Sequence, residues 1–128
     1  MDGLGIVTQR IAAIRGIADQ VTRGTMIINS TVDTREFVEQ ICEIKGIGEW
    51  TAYYIAMRAL NDSDAFPYSD LILRRAMNDG EKLTAKKLLK HSKIWQPWRA
   101  YSAILLWKNY GATLNQKAKK ITRKRKNI

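Results

Sequence analysis

The sequence has 128 residues, of which 45% are hydrophobic, and a net charge of +10. This apolar content is enough for one compact domain with its own core. No apolar stretch approaches the roughly 18 to 20 residues that span a bilayer, and the N-terminus lacks the pattern of a signal peptide. The single cysteine, Cys42, excludes an internal disulfide and an iron–sulfur cluster held by four cysteines. We therefore expect a soluble protein of a reducing compartment, the cytoplasm.

Helical spacing of apolar residues predicts two helices in the first part of the chain. The first helix places four apolar residues on one face: Ile11, Ile14, Ala18 and Val21. Gly24 follows this helix as a stop signal. Asp33 and Glu36, three residues apart, match a capping box at the start of the second helix, which we expect to extend to Ile44.

Two glycines, Gly46 and Gly48, lie two residues apart between the second helix and the third. Glycine takes positive φ values and lets the backbone approach a partner closely. A tight turn of this kind presents N–H groups at the start of the next helix, where the positive end of the helix dipole suits a phosphate. The alternative is an ordinary helix–helix turn.

The third helix is predicted over residues 49–60 and has two apolar faces. One face consists of small and aliphatic residues that suit a core: Ala52, Ile55, Ala56 and Ala59. Trp50 and Tyr54 are four residues apart and therefore neighbours on another side of the helix.

The second half of the chain begins with a polar loop over residues 61–69. Asp70 then precedes an apolar helical run, at the position of a helix N-cap. A short helix is predicted over residues 84–91, and the last helix from Pro97, which suits a first helical position, to about Gly111. Because no convincing strand alternation is present, the sequence predicts an all-α fold.

Most of the positive charge lies in the last twelve residues. They contain seven lysines and arginines and no acid, which leaves +3 for residues 1–116. Blocks of like charge are usually disordered and solvated, although such a tail adds salt-sensitive, non-specific affinity for DNA. We therefore expect one folded domain over residues 1–116 and a disordered basic tail over 117–128.

Three linked motifs are diagnostic in combination. The G-x-G turn is followed, after Glu49, by Trp50-Thr51-Ala52, a loop with Phe66-Pro67 precedes Asp70, and residues 95–101 read W-x-P-W-R-x-Y. In this order and spacing they resemble the helix-hairpin-helix DNA glycosylases, most closely the bacterial DNA-3-methyladenine glycosylase II group, which removes alkylated bases. The resemblance covers about residues 3 to 112, the C-terminal part of the family domain. The family's N-terminal portion, which supplies a residue that wedges into the duplex when a base is flipped, is expected to be absent.

The resemblance implies a catalytic role for Asp70. A fixed carboxylate stabilises an oxocarbenium-like sugar cation, the transition state of glycoside cleavage. The alternative is that Asp70 only caps a helix, and the two roles are compatible.

The resemblance also implies that Trp50, Tyr54 and Trp107 line a base pocket, where aromatic faces attract a cationic alkylated purine by roughly 0.5 to 2 kcal/mol. The alternative for each of these aromatic residues is a place in the hydrophobic core. In bifunctional relatives a nucleophilic lysine occupies the position of Trp50, so the resemblance implies a monofunctional enzyme that uses water.

The implied partner is double-stranded DNA, in the nucleoid, with its backbone held by Gly46, Ile47, Gly48 and Thr51. The resemblance implies no cofactor beyond a monovalent cation shared with a DNA phosphate through carbonyls of Cys42, Ile44 and Ile47. We also expect self-association through apolar faces that the absent portion leaves exposed. Two functions stay open: excision of alkylated purines in base excision repair, or DNA binding by a helix-hairpin-helix module without turnover.

Overall fold

A computed structural model of the protein describes residues 7–78 and 82–126, with residue 118 and residues 122–126 described by their backbone alone. Every regular element within these ranges is a helix, so the prediction of an all-α fold is confirmed. No helix in the described ranges is both long enough and apolar enough to cross a membrane. The helices fall into two compact units, Met1–Pro67 and Tyr68–Ile128.

The first unit contains three α-helices: α1 (Thr8–Thr22), α2 (Thr34–Cys42) and α3 (Glu49–Arg58). Gly24 ends α1 as predicted, since it adopts a φ of 72° and its N–H donates to the Val21 carbonyl at 3.0 Å. Asp33 caps α2 as predicted, because its carboxylate accepts hydrogen bonds from the N–H groups of Arg35 and Glu36.

The core of the first unit lies between α2 and α3. Phe37 and Ile41 of α2 are fully buried, as are Ala52 and Ala56 of α3. The small alanine side chains let the two helices pack closely against each other. The predicted core face of α3 holds for these two alanines, whereas Ala59 lies beyond the end of the helix and is exposed.

The apolar face predicted for α1 is largely exposed. Of its four residues only Ile11 is buried, and both Ile14 and Val21 are exposed. Ala13 is buried instead, on the side of α1 that faces the turn between α2 and α3. Apolar spacing shows that a helix has an apolar stripe, but the packing partner decides which side becomes buried.

The second unit contains three α-helices and a 3₁₀ helix at Lys93–Trp95: α4 (Leu71–Ala76), α5 (Ala85–Ser92) and α6 (Arg99–Lys126). Helix α4 packs on α6, and the 3₁₀ helix contacts both α5 and α6. Leu73, Leu88 and Ala103 are fully buried. Arg74 and Leu83 exchange two hydrogen bonds, which tie the segment before α5 to α4.

Both predicted ends of the last helix were wrong. Helix α6 begins at Arg99 rather than Pro97, because the Trp98 N–H donates to the Trp95 carbonyl at 2.7 Å and closes a turn before the helix. It continues through Gly111 to Lys126, since the residues that follow this glycine are mostly strong helix formers. The division into a domain over 1–116 and a disordered tail over 117–128 stays a prediction, and residues 127–128 lie outside the described residues.

Candidate active site and nucleic-acid interface

The turn between α2 and α3 contains the two glycines, and they have different surroundings. Gly46 has a φ of 96°, which glycine adopts without strain. A Cβ atom there would lie 3.4 Å from Cγ of Gln9 and 3.6 Å from Cβ of Ala13, both on α1. Ile47 has a buried side chain, and its N–H donates to the Ile44 carbonyl at 3.0 Å. Gly46 and Ile47 therefore form the part of the turn that packs inward.

Gly48 forms the exposed part of the same turn. It is the N-cap of α3, with extended backbone angles of −105° and 173°, and it supplies no side chain to cap the helix. Apart from its chain neighbours, no heavy atom among the described residues lies within 4 Å of the position its Cβ would take. Thr51 lies half-buried in the first turn of α3. An anion can thus approach the N-terminus of α3 at Gly48, where the helix dipole favours it.

Trp50 and Tyr54 form a stacked pair on α3. Their ring centroids lie 5.3 Å apart and the ring planes differ by 13°. Trp50 is 40% exposed, which excludes the alternative of a core residue. The Arg58 guanidinium lies over the Tyr54 ring, 5.6 Å from its centroid, and extends the row along one side of the helix. The spacing of four residues predicted the pair, and the same spacing applied once more would have included Arg58.

Asp70 is the N-cap of α4, and its Oδ1 accepts hydrogen bonds from two different helices. The Leu73 N–H donates to Oδ1 at 2.8 Å, and the indole Nε1–H of Trp107 donates to the same oxygen at 3.1 Å. Both side chains are half-buried. The cap predicted from the sequence is therefore present, while the contact with Trp107, 37 residues further along the chain, left no sequence signal.

The structure thus groups the predicted residues into three local arrangements. Gly46, Ile47, Gly48 and Thr51 belong to the turn before α3 and to its first helical turn. The pair of Trp50 and Tyr54 lies on the same helix, in the same unit. Asp70 and Trp107 are paired in the second unit. The roles assigned to these residues stay predictions.

Cys42 ends α2 and has no feature of a reactive thiol. Partial burial, with a smaller contribution from the Glu49 carboxylate, raises the pKa of the Cys42 thiol. The thiol is therefore protonated at neutral pH, which makes it a poor nucleophile. Among the described residues, no group of three or more His, Cys, Asp or Glu side chains is placed to hold a metal ion.

The chain matches no family model, but it has clear relatives among known proteins. It is 34% identical over 114 residues to a probable bifunctional transcriptional activator and DNA repair enzyme AlkA of Mycobacterium tuberculosis. It is 30% identical over 115 residues to DNA-3-methyladenine glycosylase 1 of Schizosaccharomyces pombe. This chain is homologous to the DNA-3-methyladenine glycosylases. The resemblance predicted from the three motifs is therefore confirmed.

A solved structure supports the same conclusion for the fold. The 3-methyladenine DNA glycosylase Mag1 of Schizosaccharomyces pombe, in complex with abasic DNA, matches 81% of this chain with a TM-score of 0.74 and 30% sequence identity. The aligned part covers 54% of the Mag1 chain. Among the two curated relatives, the chain spans 23% of the length of the mycobacterial protein and 50% of that of the yeast protein.

Proposed function

We propose that this chain is a monofunctional DNA glycosylase that excises alkylated, cationic purines such as 3-methyladenine from duplex DNA in base excision repair. One observation carries the proposal. In a chain homologous to DNA-3-methyladenine glycosylases, the Asp70 carboxylate is held by the N-terminus of α4 and by the indole of Trp107. A carboxylate fixed in this way is preorganised to stabilise a developing positive charge.

The reaction breaks the bond between the purine nitrogen and C1′ of the deoxyribose. An alkylated purine carries a positive charge, so it takes the bonding electron pair and leaves as a neutral base without a general acid. The positive charge moves to the sugar, where the Asp70 carboxylate stabilises the oxocarbenium-like transition state. Water then adds its oxygen to C1′ and loses a proton, which leaves an abasic site in an intact strand.

The pair of Trp50 and Tyr54 supports recognition of a cationic base. Stacked rings present an electron-rich face, and Trp50 is 40% exposed on the surface of α3. Attraction between a ring face and a cation contributes about 0.5 to 2 kcal/mol. Because tryptophan has no amine to attack the sugar, the residue at this position also supports water as the nucleophile.

The N-terminus of α3 supports binding of a DNA phosphate through Gly48 and Thr51. The Mag1 structure is a complex with abasic DNA, which supports DNA as the partner of this chain. Carbonyls of Cys42, Ile44 and Ile47 would hold a monovalent cation that neutralises a bound phosphate. Their chemistry fits, because carbonyl oxygens are hard donors and the Cys42 carbonyl lies at the negative, C-terminal end of the α2 dipole. The Ile44 carbonyl accepts one hydrogen bond, from Ile47, and has a second lone pair.

We also propose that copies of this chain associate with one another. Four apolar side chains at the start of α6 and just before it are exposed: Ile94, Trp98, Tyr101 and Leu105. The rings of Trp98 and Tyr101 lie edge to face with centroids 5.9 Å apart, and exposed apolar surface that is contiguous marks interaction sites in proteins. Sedimentation velocity at increasing protein concentration tests it, and a sedimentation coefficient that does not change with concentration would contradict it.

The decisive experiment is base release from N-methylated duplex DNA by this chain. We expect free 3-methyladenine and an abasic strand that breaks only on alkaline treatment. Asp70→Asn keeps the shape of the side chain and much of the cap but removes the charge. We expect it to slow release by about 10² to 10³ while leaving DNA affinity within about threefold of the unchanged chain.

The second candidate function is DNA binding without turnover. It is favoured by the open N-terminus of α3 at Gly48, which suits a phosphate whether or not a base is excised. DNA binding with no base release by the unchanged chain would support this function and contradict the proposed excision.

A further inference from the structure

We propose that Trp107 is a positioning residue for Asp70, and that its indole N–H fixes the carboxylate for the chemical step. This inference rests on the proposed function. The resemblance implies a place for Trp107 in the base pocket, where its ring faces would contact the base. The hydrogen bond between Nε1 and Oδ1 gives the residue a different task, because it acts on the carboxylate rather than on the base.

The position of Trp107 shows what its indole adds to the support of the Asp70 carboxylate. Its first donor is the Leu73 N–H, in a helix of six residues. A short helix is marginally stable by itself and depends on packing. Trp107 belongs to the 28-residue helix α6, which packs on α4 and is anchored by the buried Ala100 and Ala103. The indole therefore links the carboxylate to the longest element of its unit.

Both hydrogen bonds end on Oδ1, at 2.8 Å and 3.1 Å. Two donors from different helices that meet at one oxygen restrict rotation of the carboxylate about both side-chain torsions. A hydrogen bond to a charged group is roughly twice as strong as a neutral one. Because the indole N–H lies in the plane of the ring, the direction of the Trp107 ring and the orientation of the carboxylate are coupled.

The proposal makes the effect of Trp107 independent of the lesion. Asp70 stabilises the charge on the sugar, and the sugar is the same whether the base is cationic or neutral. A group that only orients Asp70 must therefore change excision of every base by the same factor. A group that recognises a cationic base must change excision of cationic bases more.

The test is a double-mutant cycle with Trp107→Phe and Asp70→Asn. Phenylalanine keeps an aromatic ring and removes the N–H. Single-turnover rates at saturating enzyme are measured on duplexes with 3-methyladenine, 7-methylguanine and hypoxanthine, so that binding does not enter the comparison. We expect Trp107→Phe to slow excision of all three bases about tenfold to a hundredfold. We expect no further loss from Trp107→Phe when Asp70→Asn is already present, since the two residues act as one unit.

Tyr110→Phe is the matched control. Tyr110 lies on α6 three residues after Trp107 and is also half-buried, and the change removes a polar hydrogen while keeping the ring. We expect this variant to excise at the rate of the unchanged chain. If Trp107→Phe fails to fold, 3-benzothienylalanine at residue 107 replaces the indole N–H by sulfur and keeps the ring shape, with the same expected loss.

A second measurement does not depend on activity. The indole ¹H–¹⁵N resonance of Trp107 is identified by its disappearance in Trp107→Phe. We expect it to shift in Asp70→Asn, while the indole resonances of Trp50, Trp95 and Trp98 stay in place.

The outcomes separate this inference from the proposed function. No base release by the unchanged chain would overturn the proposed function, whereas the indole resonance would still test the contact between Trp107 and Asp70. Full excision by Asp70→Asn would overturn the catalytic role of Asp70 and the positioning role with it. Loss of excision in Asp70→Asn but not in Trp107→Phe would overturn the positioning role alone. Trp107→Phe could instead slow excision of the two methylated bases more than excision of hypoxanthine, with an effect that adds to that of Asp70→Asn. That result would mean that Trp107 recognises the base and does not position Asp70.

Discussion

The N-termini of α2 and α4 are alike in their local chemistry and differ in their surroundings. Asp33 caps α2 and Asp70 caps α4. Each carboxylate accepts hydrogen bonding from the backbone N–H in the first turn of its own helix. Asp33 is exposed, and both of its donors come from its own helix. Asp70 is half-buried and receives an additional donor from Trp107 on another helix. A capping carboxylate thus becomes a candidate catalytic group only when a second element fixes it.

Helix α3 differs from both, because its N-cap is Gly48, which has no side chain to cap the helix. A carboxylate cap satisfies a helix N-terminus from within the chain, whereas a glycine cap lets an external anion approach. The three helix starts therefore correspond to three proposed uses: stability at Asp33, catalysis at Asp70 and phosphate binding at Gly48.

The largest expected difference is between the two aspartates. We expect Asp70→Asn to lower the single-turnover rate of 3-methyladenine excision by about 10² to 10³, because it removes the charge that stabilises the sugar cation. We expect Asp33→Asn to leave the rate unchanged, since asparagine caps a helix as well as aspartate does. Equal losses in the two variants would mean that both aspartates act only through helix stability.

The two glycines of the turn provide the next comparison. We expect Gly48→Glu to weaken binding to undamaged duplex by about tenfold or more, because it places a negative charge where a phosphate would bind. The open space around Gly48 lets the variant fold. We expect Gly46→Ala to lower the free energy of unfolding by about 1 kcal/mol or more, because the backbone there has a positive φ.

Fluorescence anisotropy with labelled duplex and thermal unfolding measure the two effects of the glycine variants. If Gly48→Glu bound DNA normally, the turn would not be the DNA contact. Gly46 and Gly48 would then differ only in how they pack within the turn.

A smaller effect is expected for selectivity at Trp50. We expect Trp50→Leu to reduce excision of 3-methyladenine about threefold to tenfold more than excision of hypoxanthine, because leucine keeps apolar contact and loses the attraction between ring and cation. Single-turnover rates on the two lesions give the ratio. For Trp107→Phe we expect the same loss on every lesion. The two results together would assign recognition of the cationic base to Trp50 and support of the Asp70 carboxylate to Trp107. An unchanged ratio would contradict a role for the Trp50 ring in charge recognition.

The smallest expected effect concerns the basic end of the chain. We expect deletion of residues 117–128 to flatten the salt dependence of DNA binding, by about 0.9 in the log–log slope for each phosphate contact that is lost. Excision at saturating enzyme should not change. Loss of all binding on deletion, with Gly48→Glu harmless, would place the DNA contact in the basic segment rather than at the helix start.

The sequence by itself determined the features that depend on contacts within a turn or two of helix. These features include the all-α composition, the caps at Asp33 and Asp70, the stop at Gly24 and the stacking of Trp50 on Tyr54. They follow from the spacing of residues along a helix and from backbone preferences. Both are local and do not depend on which elements pack around the helix. The motifs around Gly48 and Asp70 were also sufficient to predict the resemblance to DNA-3-methyladenine glycosylases, since homology preserves order and spacing.

Only the tertiary structure decided which surfaces these elements use. The buried side of α1, the packing of Gly46 against Gln9 and Ala13, and the hydrogen bond from Trp107 to Asp70 join residues far apart in the sequence. Apolar spacing places residues on a face but does not name the partner of that face, and no local preference links residues 37 positions apart. The proposed role of Trp107 arises from that contact, because a tryptophan in a helix can serve as core, as a stacking surface or as a donor, and packing selects among them.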